Sequence, residues 1–212
     1  MQAIYSALFL VFSMLYLIFL PFGTLTISWL IKILPLIVLV FAVARAPVFS
    51  GKTLLLLALV FSASGDVLLE QGHFILGVGA FLIAQLHYGI FYARNWSSVK
   101  TRWPISVFIL IFMLIMVFLL APHLGELKLP VFAYLTVIGL MGLLAMQSNM
   151  PLKWSVFGVL VFILSDSFIA IDRFLHPLPL GGYLIMTTYY GAQWMIIQGA
   201  LNKFRAGRSS LV

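Results

Sequence analysis

A chain of 212 residues that is 64% hydrophobic and only 8% charged cannot hide its apolar surface inside a soluble domain, so it is read as an integral membrane protein. The net charge of +7 does not argue for nucleic acid, because the basic residues are scattered through loops. The absence of cysteine removes disulfides, thiolate nucleophiles and cysteine metal sites together.

Apolar runs long enough to cross about 30 Å of hydrocarbon as helices recur down the whole chain. None shows the short alternation of a β-barrel strand. The first run, 4–20, lacks a basic leader and a small-residue cleavage site, and is expected to be a retained helix. PFG at 21–23 separates it from a second span at 26–44, and ARAPVFSGK at 44–52 leads into a third at 53–70. EQGH at 70–73 precedes a fourth span at 74–93, and RNWSSVKTRWP at 94–104 a fifth at 104–121. APHLGELKLP at 121–130 precedes a sixth span at 130–148, and SNMP at 148–151 a seventh at 154–172. DRFLHPLPLGG at 172–182 leads into the eighth, 180–201. The expected fold is an all-α membrane protein, one eight-helix transmembrane domain over 1–212.

Charge orients these spans. With eight crossings, one side receives both termini and Arg45, Lys52, Arg94, Lys100, Arg102, Lys153, Lys203, Arg205 and Arg208. The other side receives only Lys128 and Arg173, so both termini are expected to be cytoplasmic. Without a targeting extension, a bacterial inner membrane is the expected location. A weak internal echo accompanies this order: SGD at 64–66 and LSD at 164–166, then FLIAQ at 81–85 and YYGAQ at 189–193. Such a 4+4 repeat would be parallel.

Charges within the bilayer are costly, about 2.5–3.5 kcal/mol each on insertion scales, and normally face the bundle interior. Asp66 closes the third span, Asp166 lies in the outer half of the seventh, and Lys32 lies in the first turns of the second. All three are expected at similar depth toward the non-cytoplasmic side. Gln85, Tyr88, Tyr189, Tyr190 and Gln193 lie nearer the middle of spans four and eight, so one polar pocket would gather the set. Plainer readings stand beside this one. Asp66 could end its helix at the headgroups, Lys32 could snorkel or neutralise an aspartate, and the glutamines could be interhelical glue. Tyr5, Tyr16, Trp29, Trp96, Trp103 and Trp154 read as an interface belt. His87 reads as a packed or hydrogen-bonded histidine, with the other histidines in loops.

Too few histidines lie within the spans for a zinc site, and no GxSxG elbow is present. Gly65–Asp66 shares a glycine–aspartate pair with intramembrane aspartyl proteases but lacks their preceding GxG. Two carboxylates in a dry pocket suffice for other chemistry. One, protonated, serves as a general acid, while the other, ionised, positions water or stabilises a cation. That suits cleavage of an ether through an oxocarbenium ion.

The ordered set IKILPL (31–36), SASGDVLL (62–69), GAFLIAQLHY (79–88), FGVLVFILSD (157–166) and TYYGAQWMI (188–196) resembles the YhhN-type lysoplasmalogenase family. The resemblance implies hydrolysis of the vinyl ether bond of lysoplasmalogens to a fatty aldehyde and glycerophosphoethanolamine or glycerophosphocholine. A lysophospholipid and water would be the substrates, the bilayer the setting, and neither cofactor nor metal is implied. It also implies Asp66 and Asp166 as catalytic residues, with Lys32, Gln85, Tyr88, Tyr189, Tyr190 and Gln193 around the substrate. Lys32 matches the family's lysine, although its proline comes three residues later here. Gln85 stands where many relatives carry histidine, and some relatives replace Asp166 with asparagine. Which aspartate is the acid stays open, as does whether Lys32 meets the lipid phosphate or tunes an aspartate. The competing readings are a small-molecule or lipid transporter or binding protein, and a structural or assembly protein; buried charge is ordinary in both.

Overall fold

The computed structural model describes residues 3–22 and 28–209. Among these it is all-helical, apart from an isolated bridge between Trp96 and Ser148. The α-helices in chain order are α1 (Ala3–Phe19), α2 (Ser28–Ala44), α3 (Lys52–Glu70), α4 (Phe74–Arg94), α5 (Trp103–Leu120), α6 (Lys128–Met146), α7 (Phe157–Phe174) and α8 (Gly181–Ser209). The segments containing α1, α3, α4, α5, α6 and α7 are long and apolar enough to cross a membrane. α2 is a shorter apolar helix of 17 residues, and the expected start of its span at 26–27 lies outside the described residues.

Two boundaries differ from the sequence reading. The helix expected to end at 201 continues to Ser209. Past Leu201 the apolar run stops, but side-chain pairing does not: Gln198 donates to Asn202 at 3.1 Å, one turn on. The helix expected from 154 is preceded by a wider π-turn, Leu152–Val156. Pro151 opens that turn, and the Val156 N–H donates to its carbonyl at 3.2 Å.

Burial follows helical period. α5 is apolar all round, yet it buries only the stripe Ile109, Met113, Met116 and Leu120 while exposing Phe108, Leu114 and Phe118. α1 likewise exposes Leu10, Val11, Met14 and Ile18. Large side chains left outside in this number suit lipid rather than water. The inner helices pack as two intimate neighbouring pairs, α3 on α4 and α7 on α8, with α4 also against α6 and α2 against α3. Lipid tails give no hydrophobic drive for helix association, so close approach relies on small residues. Gly199 of α8 shows why: a Cβ there would lie 2.5 Å from the backbone nitrogen of Ser155.

One end of the bundle is tied by backbone bonds between loops. Asn149 N–H donates to the Asn95 carbonyl at 2.8 Å and Ser97 N–H to that of Gln147 at 2.8 Å. The Arg102 guanidinium donates to the carbonyls of Ser148 and Met150 at 3.0 and 3.1 Å. The polar interior lies toward the opposite end, where Leu20, Lys32, Asp66 and Gly182 line a common cavity.

Candidate functional site

Seven helices contribute to one polar centre. α2 enters with Lys32, which is only 9% exposed. Its Nζ lies 3.2 Å from Glu70 Oε2 and 3.8 Å from Asp66 Oδ1, both from the last turns of α3. Ser28, one turn earlier on α2, donates to Glu70 Oε1 at 2.7 Å. In the turn where Pro35 withdraws a backbone N–H, Tyr190 of α8 donates to the Lys32 carbonyl at 2.7 Å. Lys32 is thereby fixed from both its ends.

Asp66 is 3% exposed and accepts from the Tyr189 hydroxyl at 2.7 Å. The Tyr189 ring is held edge-on by Phe81 at 5.9 Å and Phe162 at 5.6 Å between centroids. Gly65 makes room for that cage, since a Cβ there would lie 2.6 Å from the Phe81 ring. Asp166 of α7 accepts from Tyr134 of α6, whose hydroxyl also lies 3.4 Å from Gln85 Nε2. Each aspartate therefore carries one tyrosine donor, and only Asp66 also has a cation beside it.

Asp66 and Asp166 line one cavity of about 210 Å³, together with Lys32, Tyr189 and Tyr16. Asp166 also lines a second, apolar cavity of about 60 Å³ walled by α3, α4, α5, α6 and α7, including Met113, Leu135, Ile138 and Ile163. Asp66 does not line that one. A third cavity of about 200 Å³ lies at the loop end, lined by Gly72, Phe74, Asp172 and Arg173, and shares Leu69 and Ile169 with the other two.

The structure thus brings Lys32, Asp66, Asp166 and Tyr189 to a common space. Gln85, Tyr88, Tyr190 and Gln193 stand behind it as buried supports and do not line it. Tyr88 donates to Gln193 Oε1, and Gln193 Nε2 to Ser62 Oγ at 3.1 Å, one turn below Asp66 on α3. Tyr16, expected in the interface belt, is instead buried at 5% exposure, lines the cavity and meets Tyr190 edge-on at 6.1 Å. Its place near a span end hid the inward direction that packing against α8 imposes. Glu70 and Tyr134 were not singled out either. Glu70's signal was its position one turn after Asp66, on the same helix face. Tyr134 gave none, since a lone tyrosine in an apolar run does not reveal which neighbour it faces. His87 bonds its own helix, with Nδ1 2.7 Å from the Ile83 carbonyl. Among the described residues, no group of three or more His, Asp or Glu is placed to hold a metal ion.

An all-helical membrane protein with two carboxylates facing one polar cavity, one of them also lining an apolar cavity, is the class these features define. Residues 27–200 match the YhhN family, and the chain belongs to that family. Over 191 residues it is 32% identical to the lysoplasmalogenase TMEM86A of Bos taurus, covering 82% of this chain and 78% of the bovine protein. To the lysoplasmalogenase TMEM86B of Homo sapiens it is 34% identical over 190 residues, 82% of this chain and 77% of the human protein. A lysoplasmalogenase of Mycobacterium tuberculosis is 30% identical over 172 residues, 77% of this chain and 66% of that protein. No solved structure matches.

Proposed function

We propose that this chain is a lysoplasmalogenase, an intramembrane hydrolase of the vinyl ether bond of lysophospholipids. The family and the named relatives support the activity. One observation supports the division of labour: Asp166 lines both the apolar and the polar cavity, whereas Asp66 lines only the polar one. In a vinyl ether the β-carbon lies on the chain side of the double bond and the ether oxygen on the glycerol side. With the chain in the apolar cavity, Asp166 is the group nearest the β-carbon.

Asp166, protonated, gives its proton to the β-carbon, and the double-bond electrons shift to leave an oxocarbenium ion at the α-carbon. Asp66, ionised in this scheme with the Lys32 ammonium 3.8 Å away, stabilises that cation from the polar side. Water adds to the α-carbon and gives its proton to Asp66, forming a hemiacetal. Asp166 then takes the hemiacetal hydroxyl proton, and Asp66 returns its own to the departing glycerol oxygen. The aldehyde and the glycerophospho-alcohol leave, with both carboxyls restored. Lys32 acts on Asp66 in this scheme rather than on the lipid phosphate, because Glu70 and Asp66 already engage it. Tyr134 and Tyr189 orient the carboxyls, and the buried Gln85, Tyr88, Tyr190 and Gln193 hold the surrounding helices.

Hydrolysis in deuterium oxide tests the scheme. With the aldehyde reduced as it forms, one deuterium is expected on the carbon next to the former carbonyl. Aldehyde released without deuterium there would rule out protonation at the β-carbon.

The finer topology belongs to the same proposal. All eight α-helices cross the membrane, both termini are cytoplasmic, and the membrane is a bacterial inner membrane. α2 supports this with 17 residues, about 25 Å of helix, and the distribution of basic residues supports the orientation. A parallel 4+4 repeat is supported by the matched close packing of α3 on α4 and of α7 on α8, with one aspartate on α3 and one on α7.

A further inference from the structure

With Lys32 committed to two carboxylates, the polar cavity offers no free cation for a lipid phosphate among the described residues. The third cavity does. Arg173 lines it, seven residues after Asp166 on α7. Two helical turns return a side chain to nearly the same face, about 10 Å further along the axis. Ile169, between them on that face, lines all three cavities, so the cavities neighbour one another along α7 from Asp166 to Arg173.

The guanidinium already has an aromatic partner: its Cζ sits 3.8 Å from the centroid of the Phe74 ring. No carboxylate among the described residues pairs with it. Its neighbour Asp172 is taken by the Leu178 N–H at 2.7 Å. A guanidinium is a planar fork of donors suited to a phosphate, which it can meet with two parallel bonds.

We infer that Arg173, set against Phe74, is the phosphate-binding residue of a headgroup subsite in the third cavity, which selects phosphate-bearing lysolipids over neutral alkenylglycerols. This rests on the hydrolase reading for the position of the reacting bond, but the subsite itself can be read by binding alone. The chain then lies in the apolar cavity, the vinyl ether by Asp166, the glycerol in the polar cavity and the phosphate on Arg173.

The test compares two substrates and two uncleavable analogues in detergent. For wild type and Arg173→Ala, aldehyde release is measured from lysoplasmenylethanolamine and from the same alkenylglycerol without phosphate. Arg173→Ala is expected to raise KM for the phospholipid about 10-fold or more with kcat nearly kept, and to leave the alkenylglycerol unchanged. Equal effects on both substrates, or none on either, would overturn the subsite. In parallel, binding of 1-alkyl-glycerophosphoethanolamine and 1-alkylglycerol is measured with the same two proteins. Loss of about 10-fold in affinity for the phospholipid analogue alone supports the subsite, even if wild type cleaves neither substrate, a result that would instead remove the hydrolase reading. Arg173→Lys is expected to recover only part of the binding, since an ammonium cannot form the two-pronged contact. Full recovery would remove the two-pronged contact and leave a point charge in its place.

Discussion

At the scale of single residues, the charges were legible because the bilayer makes them conspicuous. Lys32, Asp66 and Asp166 interrupt apolar runs where an unpaired charge is costly, so their convergence could be expected from sequence. Their partners were not legible. Tyr134 reaches Asp166 only because α6 lies beside α7, and Tyr16 turns inward only because α8 offers Tyr190. Glu70 shares Lys32 with Asp66, and helical spacing alone put it on the right face without showing that α2 would meet it. Tyr134→Phe should show what that hidden partner contributes. Removing the hydroxyl takes one donor from Asp166, and kcat is expected to fall about 10-fold with little change in KM. An unchanged kcat would make Tyr134 a packing residue only.

At the scale of elements, punctuation placed most boundaries within a few residues. SNMP falls between helices and EQGH begins at the last residue of α3, as turn residues dictate, while Pro21 and Phe22 lie in a 3₁₀ turn after α1. What apolar periodicity could not mark is helix that continues in polar sequence, as α8 does past 201. The same blindness applies to the π-turn at Leu152–Val156, which depends on one wider backbone bond. Whether α2 and α8 cross the membrane is decided by labelling. The chain has no native cysteine, so single cysteines report cleanly. At the exposed Phe22, Glu126 and His176 they are expected to react with an impermeant thiol reagent outside intact cells. At Ser97 and Gly207, also exposed, they should react only after the cells are opened. Labelling of His176 and Gly207 from the same side would take α8 out of the membrane, and labelling of Phe22 from inside would do the same for α1 or α2.

At the scale of the whole molecule, the two ends divide the work. One is closed by Arg102 and by backbone bonds between the 95–97 and 147–149 loops. The other opens through three abutting cavities whose polarity changes in the order a lysolipid needs: apolar, polar, then charged at the rim. That gradient was only half visible in the sequence. The sequence could place the charges at similar depth, but the apolar cavity is built from side chains of five helices that no linear pattern brings together.

The first measurement to make is aldehyde release from lysoplasmenylethanolamine by the purified protein in detergent, with Asp66→Asn and Asp166→Asn beside it at matched thermal stability. Either substitution is expected to lower kcat by about 10²–10⁴-fold, as loss of a group that transfers a proton in the reaction should. Near-wild-type turnover in a folded Asp166→Asn variant would contradict the assignment of Asp166 as the proton donor. Near-wild-type turnover in both would place the chemistry elsewhere in the bundle.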